Sequence, residues 1–286
     1  MRDDAAMMGT ADRLDERDGA RMTWSFDDDR EQHIETESRP TRVLAYAQAA
    51  QTLASLGVPV VGYFGSQHHA DSGATVGLDL PLVGSGDAVD EDLVKSLNPD
   101  LVVTVTYGGE VYGLSAAVAD RVAEVAPILA IGIAGDRTLE SVIERFHELA
   151  TALGADVQDP ATDLASAPTE LRVVALSGGT DTDAYVANPA YWPSLRMLAD
   201  AGVQFTPTTT AGGWEVVKWD ELAAKHPADI VLYDQRPNSL GADRLATIPG
   251  WSEVPGVRAG NVLPWNPEPP LTYAAAASFV NGLAQR

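Results

Sequence analysis

The sequence predicts an α/β fold made of a duplicated lobe and joined across its middle by one long helix. Three observations carry that expectation. Apolar strand-like runs alternate with amphipathic helical segments over short connections, the pattern of parallel sheets covered by helices. The pattern also occurs twice: RVLA opens one half and RVVA the other, SLGV and DAGV close the first helices, and LVKSLNPDLVVTV (93–105) is echoed by LAAKHPADIVLYD (222–234). Between the halves lies the cleanest helical period, with Leu139, Val142, Ile143, Phe146, Leu149, Ala150 and Leu153 at i, i+3, i+4 spacing and Gly154 as a stop. At 1.5 Å per residue that helix runs about 24 Å.

The elements follow in order. The first ~37 residues hold many Asp, Glu and Arg and few periodic apolar residues, so burial cannot offset the entropy of ordering them. Met1–Arg21 reads as a disordered leader, residues 1–23 are set apart, and structure begins near Trp24. Residues 24–135 form an N-terminal α/β lobe: strand 43–46, helix 48–57, strand 58–64, helix 90–97, a turn at Asn98-Pro99-Asp100, strand 101–105, helix 114–125 and strand 127–133. The connecting helix occupies 136–154. Residues 155–286 form the second lobe, with strand and turn 171–179, helix 194–203, helix and turn 219–229, strand 230–234 and a C-terminal helix near 272–285.

A chain of 286 residues is long enough for two domains, each with its own core. Its 19 Lys and Arg face 41 Asp and Glu, a formal charge of −22. So acidic a surface repels phosphate backbones, and no basic cluster offsets it, so nucleic acid is not an expected partner. No cysteine is present, which excludes disulfides, thiolate metal sites and a thiol nucleophile. No apolar run approaches the ~18 residues of a membrane span, and the opening residues lack the basic-then-apolar order of a secretory signal.

Several motifs fail on inspection. VGSGDAVD (83–90) has Val89 where the third glycine of GxGxxG belongs. FHELAT (146–151) starts like HExxH but ends in Thr151, which leaves His147 an ordinary helix residue. His68, His69 and Asp71 have no second ligand cluster beside them, so they read as a solvated loop and no metal site is expected. SGGTD (177–181) reads as a strand-to-helix turn, since no GxSxG or SxxK accompanies it.

Taken in order, WSFDDDRE, TRVLAYAQAAQTLASLGVPVVGYFG, VDEDLVKSLNPDLVVTV, the long helix, RVVALSGG, WDELAAKHPADIVLYD and IPGWSEVPGVRAGNVLPW carry a family signature. Over about residues 24–286 the sequence resembles the substrate-binding proteins of ABC importers, in the ferric-siderophore and cobalamin class known as class III periplasmic binding proteins. The resemblance implies two Rossmann-like lobes held by a single rigid helix, a ligand cleft between them at the loops following the strands, and small closure motions. It implies a non-enzymatic protein, likewise monomeric, that binds a ferric siderophore and delivers it to an ABC-transporter permease, with iron only as the chelate and no other cofactor. In this family one acidic residue per lobe, usually Glu, docks on the permease. Those positions fall here at Asp92 and Asp220, with Glu91 and Glu221 beside them, and the shorter Asp weakens a salt bridge or passes it to its neighbour.

The resemblance also implies an extracytoplasmic, membrane-associated protein. The sequence departs from it in showing neither a signal peptide nor a lipobox Cys, so a cytoplasmic location stays open. The alternatives are an intracellular siderophore- or iron-handling protein or enzyme on the same scaffold, and a cobalamin- or haem-binding relative using His68 or His69.

For the site, aromatic residues gather where strands end, and open α/β sheets bind ligands there. Tyr46, Tyr63, Tyr107, Trp192, Trp214 and Trp265 are the aromatic candidates, with strand core the competing role for Tyr63. Gln48, Gln67, Arg236 and Asn238 are the polar candidates for fixing orientation. A trianionic tris-catecholate complex would need converging Arg or Lys, in which these loops are poor. A neutral or cationic ferric hydroxamate is therefore the expected ligand, drawn inward by aromatic walls on an acidic protein.

Overall fold

The computed structural model describes residues 23–66, 78–135, 137–161 and 170–284. The leader, apart from Thr23, and Gln67, His68, His69 and Asp71 lie outside the described residues. A hairpin opens the structure, β1 (Trp24–Asp27) pairing antiparallel with β2 (His33–Thr36). The sequence reading placed a strand at Trp24 but left its partner within the charged stretch.

The first lobe runs β3 (Val43–Tyr46), α1 (Ala47–Ser55), β4 (Val60–Phe64), α2 (Glu91–Leu97), β5 (Leu101–Thr106), α3 (Ala116–Ala123) and β6 (Ile128–Gly132). Its sheet is parallel with strand order β4-β3-β5-β6. Every residue of β3 and β5 is buried, which explains why they read as largely apolar runs rather than alternating apolar and charged ones. The exposed edge of β6 is closed by the hairpin turn: the Asp28 carboxylate accepts the N–H of Ala130 and the Asp29 carboxylate that of Gly132.

Next comes α4 (Leu139–Ala152), capped by Thr138, whose hydroxyl accepts the N–H of Ser141. The stripe seen in the sequence is its buried face, and all of it lies in the first lobe's core.

The second lobe runs β7 (Arg172–Gly178), β8 (Asp183–Ala187), α5 (Pro193–Asp200), β9 (Gln204–Phe205), β10 (Trp214–Lys218), α6 (Trp219–Lys225), β11 (Ile230–Asp234), α7 (Ala242–Leu245), α8 (Pro249–Glu253), α9 (Pro255–Arg258), β12 (Val262–Trp265) and α10 (Tyr273–Ala284). Its parallel strands lie in the order β9-β7-β11-β12, the order of β4-β3-β5-β6. The duplication inferred from the echoed segments therefore extends to sheet topology.

The second lobe also carries an addition, because β8 and β10 extend its sheet antiparallel. The turn at SGGTD thus joins strand to strand, not strand to helix. The physical reason is local: Thr180 donates to the Asp183 carbonyl, and any side chain at Gly179 would collide with the Tyr185 ring that folds back over it.

After β12 the chain returns to the first lobe, so residues 155–286 do not stay within the second. Gln48 Nε2 donates to the Pro269 carbonyl at 3.0 Å, and Leu271 N–H donates to Thr52 Oγ1 at 2.9 Å. Helix α10 then puts Tyr273 and Ala276 in the first core and Val280 and Leu283 in the second. The connection by α4 is joined by this second one, and Arg196 of α5 adds hydrogen bonds to the carbonyls of Gly135 and Arg137.

Candidate functional site

Parallel strands deliver their following loops to one edge of each sheet, and the two edges meet at a cavity of about 780 Å³. The first lobe contributes the loop after β5 and the start of α3, with Tyr107, Glu110, Tyr112 and Asp120. The second contributes Tyr191, Trp192 and Trp214. The loop YGGEVYG turns sharply because Gly109 and Gly113 sit at φ 100° and 87°, in the left-handed region. The lobes touch ring on ring, Tyr107 stacking on Tyr191 with centroids 5.8 Å apart and planes 8° from parallel.

Aromatic contacts continue behind this pair. Trp192 meets Trp214 at 5.1 Å and Trp265 at 6.2 Å, and its indole N–H donates to the Gly213 carbonyl at 2.9 Å, which fixes the ring. Tyr112 lies edge-on to both Tyr107 and Tyr46, at 4.9 and 5.1 Å.

Beneath the rings lies a charged cluster spanning both lobes. Tyr46 Oη donates to Glu268 Oε1 at 2.7 Å, Glu268 Oε2 is 3.4 Å from Arg236 Nη1, and Arg236 grips both oxygens of Asp234. Burial pulls the Arg236 guanidinium down, but Glu268 and then Asp234 more than offset that, so it is held above its ordinary range. Burial, reinforced by Glu268, raises the phenols of Tyr46 and Tyr107 well above the usual tyrosine range and pushes Tyr112 up to about 12. These phenols stay neutral near pH 7.

Of the residues anticipated from sequence, Tyr107, Trp192 and Trp214 line the cavity. Tyr46 and Trp265 form the layer behind it, almost wholly buried. Tyr63 does not reach it: it lies in the first lobe's core, where β4 is covered by the bridge to Leu82. Gln48 is spent on the Pro269 carbonyl, its Oε1 buried without a partner. Asn238 sits in the loop after β11, away from the cavity lining, with Oδ1 likewise unpartnered. Arg236 approaches the Trp214 ring at 5.9 Å, but its charge is already met by two carboxylates. Tyr112 and Tyr191 belong to the aromatics gathered near strand ends but are not among the selected candidates, and Glu110 and Asp120 are not anticipated at all; the available signal is the glycine-dense loop bearing two tyrosines directly after a strand.

Residues 43–269 match the family model described as periplasmic binding protein. The chain belongs to that family. Such proteins bind ligands rather than transform them and work outside the cytoplasm, in the service of ABC transporters. Among solved structures, this periplasmic binding protein is similar to DesE, a ferric-siderophore receptor protein from Streptomyces coelicolor, at 27% identity and TM-score 0.79, covering 92% of this chain and 97% of that one. Fold likeness extends to FhuD from Vibrio cholerae, solved with Fe3+-Desferal bound, at 18% identity and TM-score 0.59, covering 86% and 98% of the two chains. It extends also to a component of a Fep/Fec-like ferrichrome ABC transporter from Bacillus subtilis, at 17% identity and TM-score 0.57, covering 87% and 96%. No curated protein matches the chain.

Asp92 and Asp220 occupy equivalent places, on the first turns of α2 and α6, and both are exposed. Neither has a hydrogen bond or ion pair among the described residues. Their neighbours are engaged instead, Glu91 with Arg121 at 2.6 Å and Glu221 with Lys225 at 2.7 Å. Helices that run back along parallel strands start at the strands' carboxyl edge, so both aspartates lie at the end of the lobes that holds the cavity. Among the described residues no group of three or more metal-ligating side chains occurs, and no helix is long and apolar enough to cross a membrane.

Proposed function

We propose that this protein is the substrate-binding component of an iron-siderophore ABC importer, and that it holds a ferric hydroxamate in the cavity between its lobes. The observation that carries the reading is the cavity itself: five aromatic side chains, drawn from both lobes, around about 780 Å³, with no basic side chain among its described lining residues. That volume suits a ligand of chelate size, and aromatic faces suit one that is partly apolar. A ferric tris-catecholate carries three negative charges and would need converging cations. The guanidinium behind the rings, Arg236, is already neutralised by Asp234 and Glu268. DesE, a ferric-siderophore receptor, and FhuD, solved with Fe3+-Desferal bound, support this choice.

Delivery follows from the two exposed aspartates. Asp92 and Asp220 project one carboxylate per lobe and present a matched pair of acids to arginines of a permease at the outer face of the membrane. The test is quenching of the protein's six tryptophans during titration with ferrioxamine B, ferrichrome, ferric enterobactin, haem and cobalamin. Saturable submicromolar quenching by a hydroxamate is expected; a response to enterobactin, haem or cobalamin alone would overturn the ligand assignment.

A further inference from the structure

The described lining of the cavity carries two charged side chains, Glu110 and Asp120, and both are acidic. Glu110 sits in the loop after β5, next to Gly109, and Asp120 on α3, so they reach the cavity from separate elements of the first lobe. Both are exposed, and neither makes a hydrogen bond or ion pair among the described residues. Among the described residues, nothing partners these two like charges on one wall. The start of α3, which also lines the cavity, does not cancel them: Ser115 Oγ accepts the Val118 N–H there, and the helix adds only a partial positive charge.

The rest of the site has the same sign. Behind the rings, two carboxylates and one guanidinium (Asp234, Glu268 and Arg236) leave one net negative charge. The walls are the faces of Tyr107, Tyr112, Tyr191, Trp192 and Trp214, whose quadrupoles attract cations. A hexadentate hydroxamate already supplies six oxygens to its ferric ion, so protein carboxylates have no coordination position to take and act on the periphery of the ligand.

We propose that the cavity selects a ferric siderophore bearing a cationic substituent, an ammonium group set apart from the neutral iron centre, with Glu110 and Asp120 as its counter-charges. The inference rests on the ferric hydroxamate reading and adds the charge that the ligand must carry.

Two probes that differ in one amine test it: ferrioxamine B, whose free amine is protonated at pH 7, and its N-acetyl derivative, which has the same iron centre and no such charge. Exposed ion pairs contribute modestly, so the native protein is expected to favour ferrioxamine B by about five- to tenfold in 0.05 M salt. The preference is expected to shrink in 0.5 M salt as screening shortens the reach of the charges. In the double variant Glu110→Gln, Asp120→Asn the two probes are expected to bind with equal affinity.

Equal affinity for both probes in the native protein would overturn the inference and leave the hydroxamate reading standing. A preference that survives in the double variant would overturn the assignment to Glu110 and Asp120. Binding of neither probe would overturn both the inference and the reading beneath it.

Discussion

Replacing Arg236 with Met tests whether the charged cluster under the aromatic rings is structural. The guanidinium donates from Nε to both Asp234 oxygens at 3.1 Å and from Nη2 at 2.9 Å, and its Nη1 lies 3.4 Å from Glu268. Side-chain exposures are 13% for Arg236, 0% for Asp234 and 10% for Glu268, so solvent cannot replace what the variant removes. Removing one partner of a buried ion pair strands the other charge and destabilises by about 3–5 kcal/mol. At about 2 °C per kcal/mol for a chain of this size, Tm should fall by about 6–10 °C. Thermal scans and urea denaturation at pH 7.5 read the loss directly. The triple variant Arg236→Met, Asp234→Asn, Glu268→Gln, which strands no charge, should recover most of it. A single variant within about 2 °C of the native protein would show that the cluster does not hold the fold together and would free Arg236 for a ligand.

Further outcomes follow from the same geometry. Asp92→Asn with Asp220→Asn should abolish siderophore uptake by cells while ligand affinity in solution stays unchanged; a parallel loss of affinity would place these residues elsewhere in the mechanism. Trp214→Ala removes a cavity wall and should weaken ferrioxamine B binding by about tenfold, measured by fluorescence of the remaining tryptophans. Burial holds the His226 imidazole below its ordinary range, with Nδ1 against Thr206 Oγ1 at 3.1 Å and Nε2 unpartnered. As pH falls the unfolded state takes up this proton first, so the stability tied to neutral His226 is present above about pH 6.5 and is lost below it. Tm should therefore drop more steeply between pH 7 and 5 in the native protein than in His226→Gln; equal slopes would contradict this.

The fold was legible wherever burial imposes a period. Strands β3, β5 and β11 are buried along their whole length and show as largely apolar runs without alternation, and α4 buries one face and shows as a stripe. Strands β8 and β10 escaped notice because they are sheet extensions, short and partly exposed, with Val216 at 62% exposure and charged residues at Glu215 and Lys218. Hairpin partner β2 escaped for a similar reason: one of its four residues is buried, so it carries little pattern.

In the site, large aromatics drew attention by size: Tyr107 directly follows β5, whereas Trp192 precedes α5 and Trp214 opens β10, and all three line the cavity. What local sequence could not convey was which of these rings share a wall. Tyr46 and Trp265 are the last residues of β3 and β12, yet packing against Tyr112 and Trp192 buries them behind the surface. The neutralisation of Arg236 was equally hidden, because Glu268 lies 32 positions downstream and is brought to it by the chain's return across the lobes.

The most direct measurement is a crystal structure of the protein grown with ferrioxamine B, read at the anomalous edge of iron. One iron peak is expected between the lobes, within the cavity walled by Tyr107, Tyr191, Trp192 and Trp214, with no protein atom coordinating it. An iron site on the outer surface of either lobe, or one ligated by protein side chains, would contradict it.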